Sequence, residues 1–554
     1  MHNTEIFSVE NNKILFMVDS TYKRFCIGDC TIWIKSNFEE KRLDSLISNI
    51  LILMSSVNDA QGEISCFIRN IQGNFSLIVK SDIFSFIAVD KIRTYPLYYI
   101  VIDDQVVFSS NAKKLIKKYN LKVSMESALC IASSGYTIGN DTLFKGLNAL
   151  CAGEFALFTD RLELKTYYMY SPWKEKGQQK KELLSELKTI VLELVSKIYH
   201  NNIDKTIVIP LSAGFDSRLI VSAFKEIGAT NIMCVSYGIK GNSEALTAKK
   251  VAEKLGYKWE FIPLGIKKQR EFQRTKLYSD YLDMVDSGLS VPFYQDVAAI
   301  YFMKQSPTFP SNAIFINGNS ADFISGGHIP INSKNEISVN STNLVEKIVS
   351  KHFSLWPDLL DHKNLEVLQA LVSNEISRIV KKDATPKEAA HIFEGFEYLN
   401  RQTKYVVSGQ WNYDFFGYSW ELPFWDEKFM NFWQMVPYEY KKNQLLYKEF
   451  VYQNNWGGVW DDIPINSIKI SPIWLRYLRV GFKILCIPFG KSNWHKFERK
   501  FIYFYSEVLG LYAQSRYIDL IKEKMQFRNA FSWFTRDYLN KKSKELFKKI
   551  IEYK

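Results

Sequence analysis

The segment Pro210 to Arg218, PLSAGFDSR, follows the apolar run Ile207-Val208-Ile209 and runs into Leu219-Ile220-Val221-Ser222-Ala223-Phe224. A strand entering a turn of small residues and then a helix leaves backbone N–H groups free at the helix start, where they can hold a phosphate. Ser212 and Ser217 add hydroxyl donors and Gly214 lets the backbone approach the anion closely. Asp216, aimed at a site full of phosphate oxygens, makes sense as a Mg²⁺ ligand. The segment reads as a pyrophosphate loop, the alternative being an ordinary strand-to-helix turn that carries Ser, Gly and Asp. A second stretch, Ile314 to His328 (IFINGNSADFISGGH), repeats the pattern: an apolar strand enters a loop with Gly318, Ser320, Ala321 and Asp322, followed by Gly326-Gly327.

Both loops need a frame that holds them side by side. Apolar runs at 206–209, 232–236, 259–262 and 313–316 alternate with helical patterns, and a helix is expected from Leu183 to Tyr199. That alternation predicts a parallel sheet covered by helices, with ligands at the carboxyl ends of its strands. Residues 1–168 show short alternating runs, such as Asn74 to Val79 and Phe84 to Val89, and read as β-rich with a few helices. The charged stretch Lys174 to Lys181 is the best linker, and about 340 to 450 is mostly helical.

The first loop resembles the SGGxDS signature of ATP pyrophosphatases that cleave between the α and β phosphates, as in the asparagine synthetase family; Ala213 takes the place of the second glycine. The second loop resembles that family's SGxGADExFGG segment. The resemblance implies that ATP and pyrophosphate are bound by Leu211, Ser212, Gly214, Asp216, Ser217, Gly318 and Ser320, and Mg²⁺ by Asp216 and Asp322. Ser243-Glu244-Ala245 resembles the segment after the family's second strand, Trp420 to Asp426 its EVRxPFLD, and Val436-Pro437 the leucine-proline step behind it. Lys441 to Lys448 stands where the family has KxxLR, so either Lys442 or Lys448 is implied as the catalytic lysine, with a plain amphipathic helix as the alternative. Upstream, Ile71-Gln72-Gly73-Asn74-Phe75, Asp90 to Tyr99, Phe108 to Lys113 and Thr142-Leu143-Phe144-Lys145-Gly146 resemble LxGxFAF, DRxGxxPLYY, FASEIK and TLFKGI.

The implied fold is an α+β N-terminal αββα sandwich of the N-terminal nucleophile type over 1–170. An α/β parallel-sheet ATP pyrophosphatase domain follows over 180–455, then a helical, basic and aromatic C-terminal extension over 456–554. Three departures stand out. The family's glutaminase uses a cysteine exposed behind Met1, whereas residue 2 here is His, so glutamine hydrolysis is not expected. Asn319 stands where the family has an acidic or tyrosine side chain, and Phe323 replaces the acid after Asp322. The expected activity is ATP-dependent formation of an amide from a small-molecule or glycan carboxylate. The nitrogen comes from ammonia, an amine or a separate glutaminase. A ring-closing synthetase of the β-lactam or lasso-peptide kind, a tRNA-modifying pyrophosphatase and a noncatalytic degenerate homologue are the alternatives.

The 554 residues exceed one core, and the formal charge of +12 raises the question of nucleic acid or anionic membrane, of which nucleic acid is disfavoured. Seven scattered cysteines form no CxxC pair, and the histidines, including His200, His328 and His391, lack metal-ligand spacing and read as structural or exposed. The polar N-terminus and the absence of a long apolar run place the protein in the cytoplasm. Residues 471 to 505 interleave seven Lys or Arg with ten aromatics and one acid, Glu498. They read either as helices packed on the synthetase domain or as a segment lying peripherally on an anionic membrane face.

Overall fold

The computed structural model describes residues 4–8, 13–56, 60–172, 177–332, 334, 336–380, 385–465, 470 and 473–552. His2 lies outside them, as do part of the expected linker and residues 471–472.

Alternation of apolar side chains builds the first part of the chain. One sheet runs β1 (Thr4–Ser8), β2 (Ile14–Asp19), β8 (Gln105–Ser109), β7 (Tyr98–Ile102), β9 (Asn148–Ala149). The other runs β11 (Leu162–Thr166), β10 (Glu154–Phe158), β6 (Ser85–Val89), β5 (Phe75–Lys80), β4 (Cys30–Ser36), β3 (Lys23–Ile27). Successive side chains on a strand point to opposite faces, so one strand serves two cores. Ile78 and Ile87 meet Phe16, Val106 and Phe108 of the facing sheet. Leu77, Val79 and Phe86 instead pack under helices α1 (Glu40–Ser56) and α2 (Ala60–Asn70). Leu15, Met17 and Val107 turn outward beneath α3 (Ala112–Tyr119). Two sheets thus lie face to face, each covered by helices on its outer side.

The third sheet is all parallel, with order β14 (Lys258–Pro263), β13 (Ile232–Gly238), β12 (Thr206–Pro210), β15 (Ala313–Ile316), β16 (Ser419–Glu421). Its central strands are buried on both faces, as the unbroken apolar runs require. Helices α5 (Lys180–Asn201), α6 (Asp216–Glu226) and α7 (Ser243–Leu255) cover it. Chain order reverses between β12 and β15, and such a switch point opens a crevice at the carboxyl ends of the strands.

The C-terminal region from 456 is not one body. Trp456, Val459, Trp460 and Ile463 belong to the core of the parallel sheet. Residues 504–550 share a second core with α4 (Met125–Ser134) and with 344–396, in which Trp356, Phe393, Trp533 and Phe547 pack together. The helices Ile473–Leu485 and Gly490–Phe501 gather around a small cluster of their own, Leu475, Trp494 and Ile502, and the second of them is tied to the following segment by Lys500 Nζ to Glu523 O at 2.9 Å and the Tyr517 hydroxyl to Phe501 O at 3.0 Å.

Candidate functional site

A cavity of about 550 Å³ opens at the switch point, of a size that accommodates a nucleotide-sized ligand. The loop after β12 forms one wall. Ser212 and Ser217 join their hydroxyls at 3.1 Å, the Ser217 hydroxyl accepts the Ser212 N–H at 3.1 Å, and the Ser212 hydroxyl accepts the Gly214 N–H at 3.2 Å. No side chain caps the start of α6, whose first residues Asp216 and Ser217 line the cavity, so its first N–H groups are available to an anion. Leu211 lies behind this wall: it is buried and its N–H is donated to Val235 O at 2.8 Å. The loop is fastened from below by Arg218, fully buried, which donates to Ala213 O, Val459 O, Ile463 O and Pro464 O. Burial pushes this guanidinium down to about 10.

The loop after β15 forms the facing wall with Asn317, Gly318, Asn319 and Ser320. Gly318 sits against the backbone of the first loop: a Cβ there would lie 2.9 Å from Ser217 N and 3.0 Å from Asp216 C. Because these neighbours are backbone, they cannot swing aside. Gly318→Ala is therefore expected to cost about 1–3 kcal/mol through overpacking and to weaken ATP binding. Gly265→Ala, with nothing within 4 Å of the added carbon, is the neutral control. Thermal unfolding and titration with a fluorescent ATP analogue check both variants; equal behaviour would show that the loops have room to part.

The two aspartates meet where the loops meet. Asp216 Oδ2 accepts the Asp322 N–H at 3.0 Å, and Asp216 Oδ1 accepts the Tyr447 hydroxyl at 3.1 Å. Burial and the neighbouring Asp322 charge push the Asp216 carboxyl well up. Asp322 is half-exposed to the cavity and pairs with His328 Nε2 at 3.2 Å. Burial opposes its ionisation, but the His328 partner holds it below the ordinary carboxylate range. Two carboxylates that repel one another beside an anion site fit a divalent cation. Among the described residues no group of three or more His, Cys, Asp or Glu is arranged to hold a metal alone. A bound Mg²⁺ would thus complete its shell with phosphate oxygens and water, as this ion commonly does.

His328 corrects the expectation of a structural or exposed histidine. Its Nδ1 contacts Glu397 Oε1 at 2.6 Å while its Nε2 contacts Asp322. Burial opposes its charging, yet Glu397 and Asp322 raise it to about 9. Glu397 is almost fully buried and also takes Arg401 at 2.9 Å, Lys351 at 3.2 Å and the Gln402 amide at 3.0 Å. Burial disfavours its charge, but the neighbouring His328, and after it Lys351, hold the carboxyl well below the usual range. Gln402 Oε1 in turn accepts the Ser320 hydroxyl at 2.9 Å. The network Ser320, Gln402, Glu397, His328, Asp322 therefore links both ends of the second loop to one buried carboxylate. Glu397, Arg401 and Gln402 carry no signal in the sequence, because they sit around the start of a nine-residue π-helix, Tyr398–Val406. This winding, frequent at functional sites, alters the spacing at which side chains share a face.

Lys442 and Lys448 do not line the cavity. Lys448 Nζ is donated to Asn443 O at 2.8 Å. Asn443 and Gln444 have φ of 56° and 59°, and this left-handed pair swings Gln444 inward, where its amide reaches Ser325 Oγ at 2.9 Å. The adjacent Lys441 is fully buried in an ion pair with Glu394 at 2.9 Å. The cations lining the cavity, among the described residues, are His328 and Arg401.

The N-terminal sandwich reaches this site from outside. Arg93, buried and left-handed at φ 54°, donates to Thr403 O at 2.9 Å, and the Tyr398 hydroxyl donates to Lys91 O. Lys404, also buried, donates to Thr137 O at 2.9 Å and Gly139 O at 2.6 Å, while Gly139 N–H is donated to Asn400 Oδ1 at 2.8 Å. The π-helix is braced along its length by the turn at 90–94 and the loop at 137–139.

Residues 202–451 match the family described as Asparagine synthase. Asparagine synthetase [glutamine-hydrolyzing] 1 of Bacillus subtilis (strain 168) is 26% identical over 265 residues, which make up 47% of this chain and 40% of the relative. The chain thus spans about two fifths of the length of that curated relative. Two solved structures show a partial likeness. One, titled as the allosteric regulatory enzyme of purine biosynthesis, has 9% identity and a TM-score of 0.19 over 43% of this chain and 62% of that one. The other is glutamine phosphoribosylpyrophosphate amidotransferase from B. subtilis with ADP and GMP, at 11% identity and a TM-score of 0.16 over 59% of this chain and 60% of that one.

Proposed function

We propose that this chain, whose residues 202–451 match the family described as Asparagine synthase, is an ATP-dependent amide ligase. It activates a carboxylate as an acyl-adenylate with release of pyrophosphate and passes the acyl group to ammonia or an amine. The observation that carries this reading is the hydrogen bond that joins the two loop aspartates beside an uncapped helix start at the sheet's switch point. Asp216 and Asp322 would hold Mg²⁺, which when bound neutralises phosphate charge and makes pyrophosphate a better leaving group.

The chain's own groups do the rest. Ser212, Ser217 and the α6 N–H groups cradle phosphate oxygens, exchanging their mutual hydrogen bonds for bonds to the substrate. Arg401 and His328 hold positive charge on the other wall, where negative charge gathers as the substrate carboxylate attacks the α phosphate. Arg401 also suits a carboxylate, whose two oxygens match the guanidinium fork. The test is ATP–pyrophosphate exchange across a panel of carboxylates, including aspartate and uronic acids. Exchange that depends on one carboxylate supports the ligase; tight ATP binding with no exchange for any would count against it.

We propose ammonia as the nitrogen source, in keeping with burial that raises the thiols of Cys30, Cys130 and Cys234 to about 11, 12 and 12 and keeps these three protonated at neutral pH. The purified protein is expected to turn over with ammonia and to release no glutamate from glutamine. Glutamate release that keeps pace with turnover would show that another residue has taken the nucleophile's role.

A further inference from the structure

Among the described residues, ten of the 23 exposed large hydrophobic side chains lie between Ile473 and Phe489, and Tyr477, Leu485, Ile487 and Phe489 are 76%, 68%, 70% and 69% exposed. The helix Ile473–Leu485 keeps Leu475, Phe482 and the following Cys486 against its neighbour Gly490–Phe501, where Phe482 and Phe497 rings lie 5.3 Å apart. At about 3.6 residues per turn, its exposed apolar residues cover roughly half of the circumference. Ile473, Tyr477 and Ile484 form one stripe there, and Trp474, Leu478 and Leu485 the next. Arg476, Arg479 and Lys483 fall together along one border of that apolar face. The hairpin's sole acid, Glu498, is buried and paired with Arg479, and among the described residues no ion pair offsets the exposed ammonium groups of Lys483, Lys491 and Lys496.

We infer that the hairpin 473–501 docks on the surface of an anionic phospholipid bilayer. An apolar face with Trp and Phe, bordered by lysine and arginine, is what an interfacial helix presents to the boundary between acyl chains and headgroups. Long basic side chains at such a border extend their charges to the headgroups while their stems lie on apolar surface. No helix among the described residues is long and apolar enough to cross a membrane, so the hairpin lies on the bilayer. A second copy of the chain fits the surface worse. A two-fold contact would bring the same seven basic residues of each copy together around one neutralised acid.

Flotation of the full-length protein with phosphatidylcholine vesicles, with and without phosphatidylglycerol, tests the assignment without ATP or carboxylate, so its outcome is independent of the ligase reading. Binding is expected on the anionic vesicles and should fall as salt is raised. The combined Lys483→Gln, Lys491→Gln, Lys496→Gln variant should bind roughly 100-fold more weakly, since each basic group near the surface contributes comparably. Ile484→Asn with Phe489→Ser should lose binding through the apolar face, with an unchanged unfolding midpoint confirming an intact fold. Equal binding to neutral vesicles, or undiminished binding by both variants, would overturn the inference. So would a dimer seen by light scattering that Ile484→Asn dissociates while wild type ignores vesicles.

Discussion

Asp216→Ala and Asp322→Ala are each expected to abolish ATP–pyrophosphate exchange, to below about a thousandth of the wild-type rate, comparable to removing a main source of transition-state charge stabilisation. Asp216 is the more exacting position, since one of its oxygens takes the Asp322 N–H and the other the Tyr447 hydroxyl. Its loss removes a charge and also the tie between the loops. Asp322→Ala removes the carboxylate but leaves the backbone N–H in place, so Asp216 keeps its partner and the loops stay joined. Both variants should therefore lose exchange, while Asp322→Ala, which gives up its pairing with His328 but not the tie between the loops, should lower thermal stability less than Asp216→Ala. Ser212→Ala serves as the graded comparison: one donor among several is lost, and a fall of roughly 10²-fold is expected. Near-normal exchange in Asp216→Ala would end the assignment of these loops to pyrophosphate chemistry.

Glu397→Ala is expected to be the most destabilising single substitution around the site. The carboxylate is buried among His328, Lys351 and Arg401, and its removal leaves those cations facing one another without a counter-ion. Breaking a buried ionic cluster in this way costs about 3–5 kcal/mol. Glu397→Gln keeps two hydrogen-bonding atoms but no charge, and should fall between alanine and wild type. Because the folded carboxyl is held below its ordinary value of 4.5, its contribution is present above that pH and is lost as the pH falls below it. Urea denaturation at neutral and acid pH reads both effects. The gap between wild type and Glu397→Ala should narrow in acid, and a gap that is already absent at neutral pH would show that the cations find other partners.

The two loops proposed to bind phosphate, which the fold brings to one crevice, were legible as a pair in the sequence because their signal is local. Small residues, a serine pair and an aspartate follow an apolar strand within a few positions, and the parallel sheet then brings both loops to one crevice. Glu397 was not legible. It reaches His328 across 69 residues of chain, and its neighbours sit on a π-helix, where a search at ordinary helical spacing assigns the wrong face. Where Lys442 and Lys448 would lie relative to the cavity was not legible either, since spacing counts residues along a regular helix and the left-handed pair Asn443-Gln444 breaks that count. Likewise the composition of 456–554 shows its helices but not its partners. Trp533 and Phe547 pack in one core with α4, contributed by a part of the chain some four hundred residues earlier.

The bracing of the π-helix bears on how this protein can be taken apart. The charged stretch before α5 looks like a natural place to cut, and a fragment beginning at 177 would keep both aspartates and both serine donors. It would also leave Lys404, a buried ammonium, without the carbonyls of Thr137 and Gly139, and Thr403 without Arg93. A gene split at that position would have to express both halves together, with the sandwich serving its neighbour as a folding partner whether or not it retains any chemistry of its own.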